Sequence, residues 1–298
     1  MEAKPLEAQK ESAFVTTPVI APARLAGGDL GSDLRAVKVV WRRELLRFFR
    51  NRLRLVTSFV QPILFLVVIG TGFGALAPSS GNVNFKTFMF PGILAMTVLF
   101  TALFSAISIV WDREFGFLRE MLVAPVHRGA ILIGKCAGGA TTAVIQGALM
   151  LLLAGLVGVP YSPGLLLTLL GEMIIVAIAL TALGVLLASR MREIQSFQAV
   201  MQFIVMPMFF LSGAIFPPSG LPEWLSVLTR LDPLSYAVDP MRRAVFTYVS
   251  ATPAIQQRLN AGLTWGGWEL PIAFELAIVA AVAVVSLALA VWQFGKAE

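Results

Sequence analysis

The side chains best equipped for chemistry are gathered in one stretch, Trp111 to Lys135, which reads WDREFGFLREMLVAPVHRGAILIGK. It holds three acids (Asp112, Glu114, Glu120), three arginines (Arg113, Arg119, Arg128) and the single histidine, His127. Its end, GAILIGKC from Gly129 to Cys136, fits the G-x-x-x-x-G-K spacing of a phosphate-binding loop. Such a loop follows a buried strand and needs a Ser or Thr hydroxyl after the lysine to hold magnesium. Here Cys136 occupies that place and the motif opens an apolar helix, so nucleotide binding is excluded there. One histidine and one cysteine cannot build a His-paired or thiolate metal site, and no Ser, His and acid set can be assembled. Two carboxylates, Glu172 and Glu275, fall inside apolar runs. Each is either a proton relay or cation site, or a carboxylate satisfied by helix packing. For the charged stretch the remaining chemistry is recognition: Phe115, Leu118, Met121 and Leu122 recur at helical spacing. A short amphipathic helix there presents a mixed charged and apolar face to something else.

The elements that position this stretch are apolar. Of 298 residues, 57% are hydrophobic and 13% charged, with a mean hydropathy of +0.82, against about 25% charged in soluble domains. The chain is therefore an integral membrane protein. Its apolar runs are continuous and about twice as long as the roughly ten-residue alternating strands of a membrane β-barrel, so the class is all-α. The net charge of +6 does not point to nucleic acid, because six arginines lie between Trp41 and Arg54, directly before the first apolar run. That is the pattern of topology and anionic-lipid contact.

Residues Met1 to Leu34 lack periodicity and are expected to form a disordered cytoplasmic tail. From 35 to 54 the apolar positions Val37, Val40, Trp41, Leu45, Phe48 and Phe49 share a stripe, with Arg42, Arg43, Arg47 and Arg50 mostly elsewhere. This predicts an amphipathic helix lying in the interface. Residues 55–298 then form a six-helix transmembrane domain, with spans at about Leu55–Ala77, Phe88–Val110, Ala137–Val159, Leu165–Ala188, Ala199–Phe216 and Leu270–Trp292. On this topology 18 of the 23 Lys and Arg fall on one side, which places both termini in the cytoplasm and the protein in the cytoplasmic (inner) membrane. The six tryptophans and three tyrosines all lie at or beyond span ends, where amphipathic rings prefer the headgroup layer. On the other side, 217–250 holds two short helices, Leu221–Leu231 and Pro233–Tyr248, expected to dip into the outer leaflet as re-entrant caps. Gln61 and Pro62 are expected to bend the first span. Gln146 is expected to bond between helices, and Gly134-x-x-x-Gly138 to allow close helix approach.

Three stretches resemble the ABC-2 type permeases, the membrane subunits of ABC exporters in the daunorubicin-resistance and nodulation-export branch. They are DREFGFLREMLVAPVHRGAILIGK (Asp112 to Lys135), MPMFFLSGAIFPPSGLPEWL (Met206 to Leu225) and LDPLSYAVDPMRRAV (Leu231 to Val245). The similarity spans roughly Arg35 to Trp292, with Glu114, Gly116, Glu120 and Pro125 in the family's places in the first cytoplasmic loop.

The resemblance implies an ABC-2 exporter fold in which the loop 111–135 docks on a separate ATPase subunit. Phe115, Phe117, Leu118 and Met121 would anchor it, with Glu114, Arg119, Glu120 and Arg128 as charged partners. Arg43 and Arg47 of the interfacial helix would touch the same subunit. It further implies two ATPase copies, a second permease copy in a homodimer, and no cofactor on this chain, ATP and magnesium belonging to the partner. The function implied is a permease, not an enzyme, moving an amphipathic or lipid-like molecule (drug, lipid or glycolipid) outward. Its pathway would be lined by Phe65, Phe100, Phe104, Phe203, Met206, Phe209 and Phe210, with Glu172 nearby. The substrate itself is not encoded legibly. An ion-coupled secondary transporter using Glu172 is the rival of another class; a lipid-modifying membrane enzyme, which needs clustered His, Asp or Glu, is a second.

Overall fold

A computed structural model describes residues 30–76, 85–118, 121, 126–216, 222–249, 262–265 and 267–296. The arginine-rich helix, α1, runs Leu30–Arg50, so residues 30–34 are helical rather than part of a disordered tail; the rest of that tail lies outside the described residues. Asp33 holds this extra turn by accepting the His127 backbone N–H at 3.0 Å and pairing with His127 Nδ1 at 2.6 Å. The His127 amide, and then its side chain, hold the Asp33 carboxyl below its usual pKa.

After Asn51 the chain re-enters a helix as α2, Arg52–Leu64. It widens into a π-helical turn at Phe65–Ile69 and continues as α3, Gly70–Leu76. Pro62 lies inside α2 and, without an amide proton, cannot bond back to the turn before it; the π-helical turn begins three residues after it. The second span is α4, Phe85–Ser105, extended after Ala106 by α5, Ile107–Glu114. The third lies on α6, Arg128–Leu151, and the fourth is α7, Pro163–Ala188, opened by Pro163 behind Ser162. The fifth is α8, Ile194–Leu211. Two short helices follow, α9 (Glu223–Leu231) and α10 (Ser235–Tyr248). A two-stranded hairpin pairs β1 (Thr264–Trp265) with β2 (Trp268–Glu269). The last span is α11, Ile272–Lys296.

Among the described residues five helices are long and apolar enough to cross a membrane. The expected third span, α6, falls short on composition because it carries Lys135, Gln146, two threonines and several glycines. Those residues face other helices: α6 packs against α1, α4 and α7. A Cβ at Gly134 or Gly138 would come within 2.8 Å of Val40 Cβ or 2.6 Å of Glu44 Cβ. The glycine pair thus lets α1 lie directly on α6. Helices α4 and α7 form the interior, with 72% and 61% of their apolar windows buried. The apolar stretches on Leu55–Gly72, α8 and α11 bury only 17%, 28% and 22%, which leaves broad apolar faces for lipid or protein.

The segment after α8 is not a loose cap. Helix α10 packs on α4, α7 and α11, and buries nearly all of its length. Its Arg242 is fully enclosed, donating to the Gly213 carbonyl with its guanidinium carbon 4.4 Å from the Phe88 ring centre. Arg243 pairs with Asp239 at 2.6 Å and with Glu275 at 3.3 Å, so an arginine from α10 holds the buried Glu275 side chain at the start of α11. Asp232 receives the Leu234 amide at 3.0 Å. Burial raises its carboxyl to a pKa of about 7.

Candidate functional site

The charged stretch is reached along α4 and α5, where an apolar helix ends in three consecutive charged residues. Successive residues on an α-helix point about 100° apart, so Asp112, Arg113 and Glu114 cannot share a neighbour. Asp112 turns inward to α1 and α6: its carboxylate lies 2.5 Å from Lys135 Nζ, 2.5 Å from Arg43 and 3.6 Å from Arg47. Glu44 completes the cluster, 3.3 Å from both Lys135 and Arg43, and Lys135 also donates to Ser108 Oγ at 3.1 Å. Lys135 and Asp112 are almost wholly buried, and paired charges of both signs are what makes their burial tolerable. Burial alone would lower the pKa of Arg43, but Asp112 and Glu44 outweigh it and hold the guanidinium above its ordinary value. The lysine of the apparent phosphate-binding motif is therefore an ion-pair residue in the middle of a helix.

Arg113 points to the turn between the fourth and fifth spans, donating to the Ser189 carbonyl at 3.0 Å and the Met191 carbonyl at 2.7 Å. Glu114 accepts the Ile194 amide at 2.8 Å, the first residue of α8. A cation thus sits on the carbonyl end of α7 and an anion on the amide end of α8, as each helix dipole favours. The end of the second span is bonded to α1 and α6 through Asp112, to the end of α7 through Arg113 and to the start of α8 through Glu114.

Beyond Glu114 the chain turns at Gly116, whose φ of +81° is open to glycine without strain. The turn leaves Phe115 and Phe117 61% and 57% exposed, while Leu118 is buried and Met121 Sδ receives Arg43 at 3.5 Å. Phe115 lies with its ring centre 5.5 Å from that of Trp111, and exposed aromatic rings beside buried ion pairs are the kind of surface that marks an interaction site. Arg128, at the start of α6, donates to the Gly295 carbonyl at 3.4 Å. Arg119, Glu120 and Pro125 lie outside the described residues.

A cavity of about 690 Å³ opens beside the ion cluster. Glu44, Arg47 and Phe48 of α1 and Asn51 just after it contribute to it, as do Thr57, Ser58, Gln61 and Pro62 of α2. Thr97, Phe100, Thr101, Phe104 and Ser105 of α4 and Gly138, Gly139, Thr142 and Gln146 of α6 complete its inner wall; Trp111 and Gln198 also line it. It runs from exposed Arg47, Asn51, Trp111 and Gln198 to buried Thr97, Thr142 and Gln146. Gln146 is the strut at its inner end, donating to Ser58 Oγ and accepting Thr101 Oγ1 at 2.7 Å.

Of the aromatic residues singled out as pathway, Phe100 and Phe104 line this cavity. Phe65 packs edge-on against buried Phe209, with ring centres 5.6 Å apart. Phe203 and Phe210 stand outward, and Met206 is half-buried between them on α8. Glu172 is buried in α7 and its Oε2 makes no hydrogen bond among the described residues. The polar wall escaped the sequence analysis because isolated Ser and Thr in an apolar run bond their own helix and raise no flag.

Comparison with known proteins bears on what this arrangement serves. Residues 35–246 match the model of a family described as ABC-2 type transporter. Among similar proteins, "Putative transport permease ycf38" of Cyanophora paradoxa is 29% identical, over 68% of this chain and 72% of its own length. "Nodulation protein J" of Rhizobium leguminosarum bv. trifolii is 28% identical over 68% of this chain and 78% of its own. "Probable doxorubicin resistance ABC transporter permease protein DrrC" of Mycobacterium tuberculosis is 27% identical over 75% and 82%.

Proposed function

Because the chain belongs to the ABC-2 type transporter family, we propose that it is the permease subunit of an ATP-driven exporter, powered by a separate ATPase subunit docked on the loop from Trp111 to Lys135. The observation that carries this reading is the linkage at Asp112, Arg113 and Glu114. A push on exposed Phe115 and Phe117 reaches α1, α6, the end of α7 and the start of α8 through ion pairs and helix-end bonds. Coupling of this kind needs a contact whose energy differs between two states, and a docked aromatic pair at the end of a bonded helix supplies one. ATP and magnesium belong to the partner's site.

The pumping unit is two copies of this chain over two ATPase copies. The little-buried apolar faces of α2 and α8 offer surface for the second permease as well as for lipid. Six spans, α6 among them, cross the inner membrane with both termini in the cytoplasm, and the segment holding α9 and α10 lies toward the outside. The cargo is amphipathic, taken from the cytoplasm or inner leaflet and moved outward. Glu172, buried with one carboxylate oxygen unpartnered, favours a second reading in which proton movement contributes; unchanged transport in Glu172→Gln would remove it.

Two measurements test the proposal. The full chain, purified from its native membrane, should bring an ABC ATPase with it, and transport into inverted vesicles should require ATP hydrolysis. Purification without an ATPase, or transport that persists when hydrolysis is blocked, overturns it.

A further inference from the structure

We propose that Asp239 of α10 and Glu275 of α11 share a single proton, and that this proton is a pH-sensitive latch holding α10, α11 and the β1–β2 hairpin together. The inference rests on the proposed function only for the side whose pH the latch reads, which is the outside.

The two acids meet on one atom. Arg243 Nη2 lies 2.6 Å from Asp239 Oδ2 and 3.3 Å from Glu275 Oε1, and the two carboxyl groups are within hydrogen-bonding reach of each other. An ionised carboxylate only accepts, so a hydrogen bond between two of them exists only when one carries a proton. Asp239 is 3% exposed and Glu275 fully enclosed. Each keeps one buried oxygen, Asp239 Oδ1 and Glu275 Oε2, without a hydrogen-bond partner among the described residues. Buried acceptors with nothing to accept are costly, and a shared proton is the donor that such a pair lacks.

Charge gives the same answer. Arg242 interacts with Asp239 from within α10, and Glu269 of β2 lies 3.6 Å from Arg243. Two cations against three acids leave one negative charge, and a single proton cancels it. Two carboxylates at one site hold such a proton because both cannot ionise cheaply. Tyr236, one turn before Asp239, also interacts with Glu275, as it does with Arg230 and Asp232 at the end of α9. Of the other helices packed on α10, α4 brings Lys86, which lies against Gly70, and α7 brings Glu172; neither is an ion-pair partner of these acids among the described residues.

The hairpin hangs on the same groups. Asp239 Oδ2 accepts the Leu263 amide at 3.2 Å and Arg243 donates to the Leu270 carbonyl at 2.9 Å, so both ends of the hairpin are tied to α10. Without the proton, two carboxylates repel each other at the point where α10, α11 and the hairpin are joined. The latch is therefore closed at low pH and opens as the pH rises.

The test uses the full chain in phosphatidylcholine nanodiscs, in an Asp232→Asn, Glu172→Gln background that removes the other buried acids lacking an ion-pair partner. Its infrared spectrum should show the C=O stretch of a protonated carboxyl, and the band should vanish as the pH is raised from about 6 to about 10. Adding Glu275→Gln, which keeps a donor for Asp239 but cannot release it, should abolish the band. Over the same range the melting midpoint of the background protein should fall by at least about 3 °C more than that of the protein carrying Glu275→Gln, the effect of roughly one unit of proton linkage. Absence of a protonated-carboxyl band in the folded background protein, or an equal fall in midpoint with and without Glu275→Gln, overturns the inference. None of these outcomes bears on ATPase association, so the exporter reading fails or stands separately.

Discussion

At the scale of single residues, Asp112 is the hinge of the account. It is a buried carboxylate with three basic neighbours, and its removal leaves buried Lys135 only the longer contact to Glu44 and the Ser108 hydroxyl. Asp112→Asn should therefore cost about 3–5 kcal/mol of stability, read as an earlier midpoint in denaturant. Adding Lys135→Met should recover part of that loss, because the pair is coupled. Asp232 makes a pH prediction whose sign follows from its raised pKa. The folded protein holds this proton up to a pKa of about 7, while the unfolded chain releases it near 3.9. Its contribution to stability is present in full below pH 4 and is lost as pH rises through 7. Asp232→Asn should flatten the fall in melting temperature between pH 5 and 8; an identical slope in the variant contradicts the assignment. Sequence made Asp112 conspicuous as a charge after a long apolar run. It did not reveal the partners, because helical periodicity states which residues share a face and not what lies opposite. The hydroxyl wall of the cavity was harder still to see. Thr97 and Thr142 satisfy their protons on their own helices, which makes them inexpensive in a membrane span and silent in a hydropathy profile.

At the scale of elements, the turn between α7 and α8 is bonded to the end of α5 through Arg113 and Glu114, and on the proposed function it is where movement of the loop would reach α8. Glu114→Ala removes the acceptor for the Ile194 amide, a loss of about 1 kcal/mol for a helix start. Amide exchange over 194–197 should quicken while α4 keeps its protection, and ATP hydrolysis should lose its dependence on substrate with ATPase binding retained. Normal coupling in that variant would mean that Glu114 only braces α8. The helices themselves were largely legible, since continuous apolar runs of about twenty residues admit few alternatives. Their ends were less so: α1 begins at Leu30, fastened by Asp33 to His127, a contact across 94 positions that no local pattern contains. The helix expected as a third span is present as α6, although its composition keeps it out of the five helices apolar enough to cross, and its polar residues turn out to be the ones that touch α1, α2 and α4. The segment 217–250 had its two helices foreseen, yet the burial of α10 with Arg242 and Arg243 inside depends on Phe88, Gly213 and Glu275 from distant parts of the chain.

At the scale of the whole molecule, a well-buried pair of helices, α4 and α7, stands between lightly buried ones. One charged cluster lies where α1, α5, α6 and the turn before α8 meet, and a second surrounds α10 at the other end of α4. The proposed function places the ATPase at the first of these, beside exposed Phe115 and Phe117. The most direct test of that claim is a disulfide cross-link from Phe117→Cys in a Cys136→Ala background to cysteines placed around the surface of the co-purified ATPase. Docking through the loop predicts a cross-link at one cleft of the ATPase whose yield changes when ATP is bound. An ATPase that associates with the chain but never cross-links at position 117, with or without nucleotide, would contradict it.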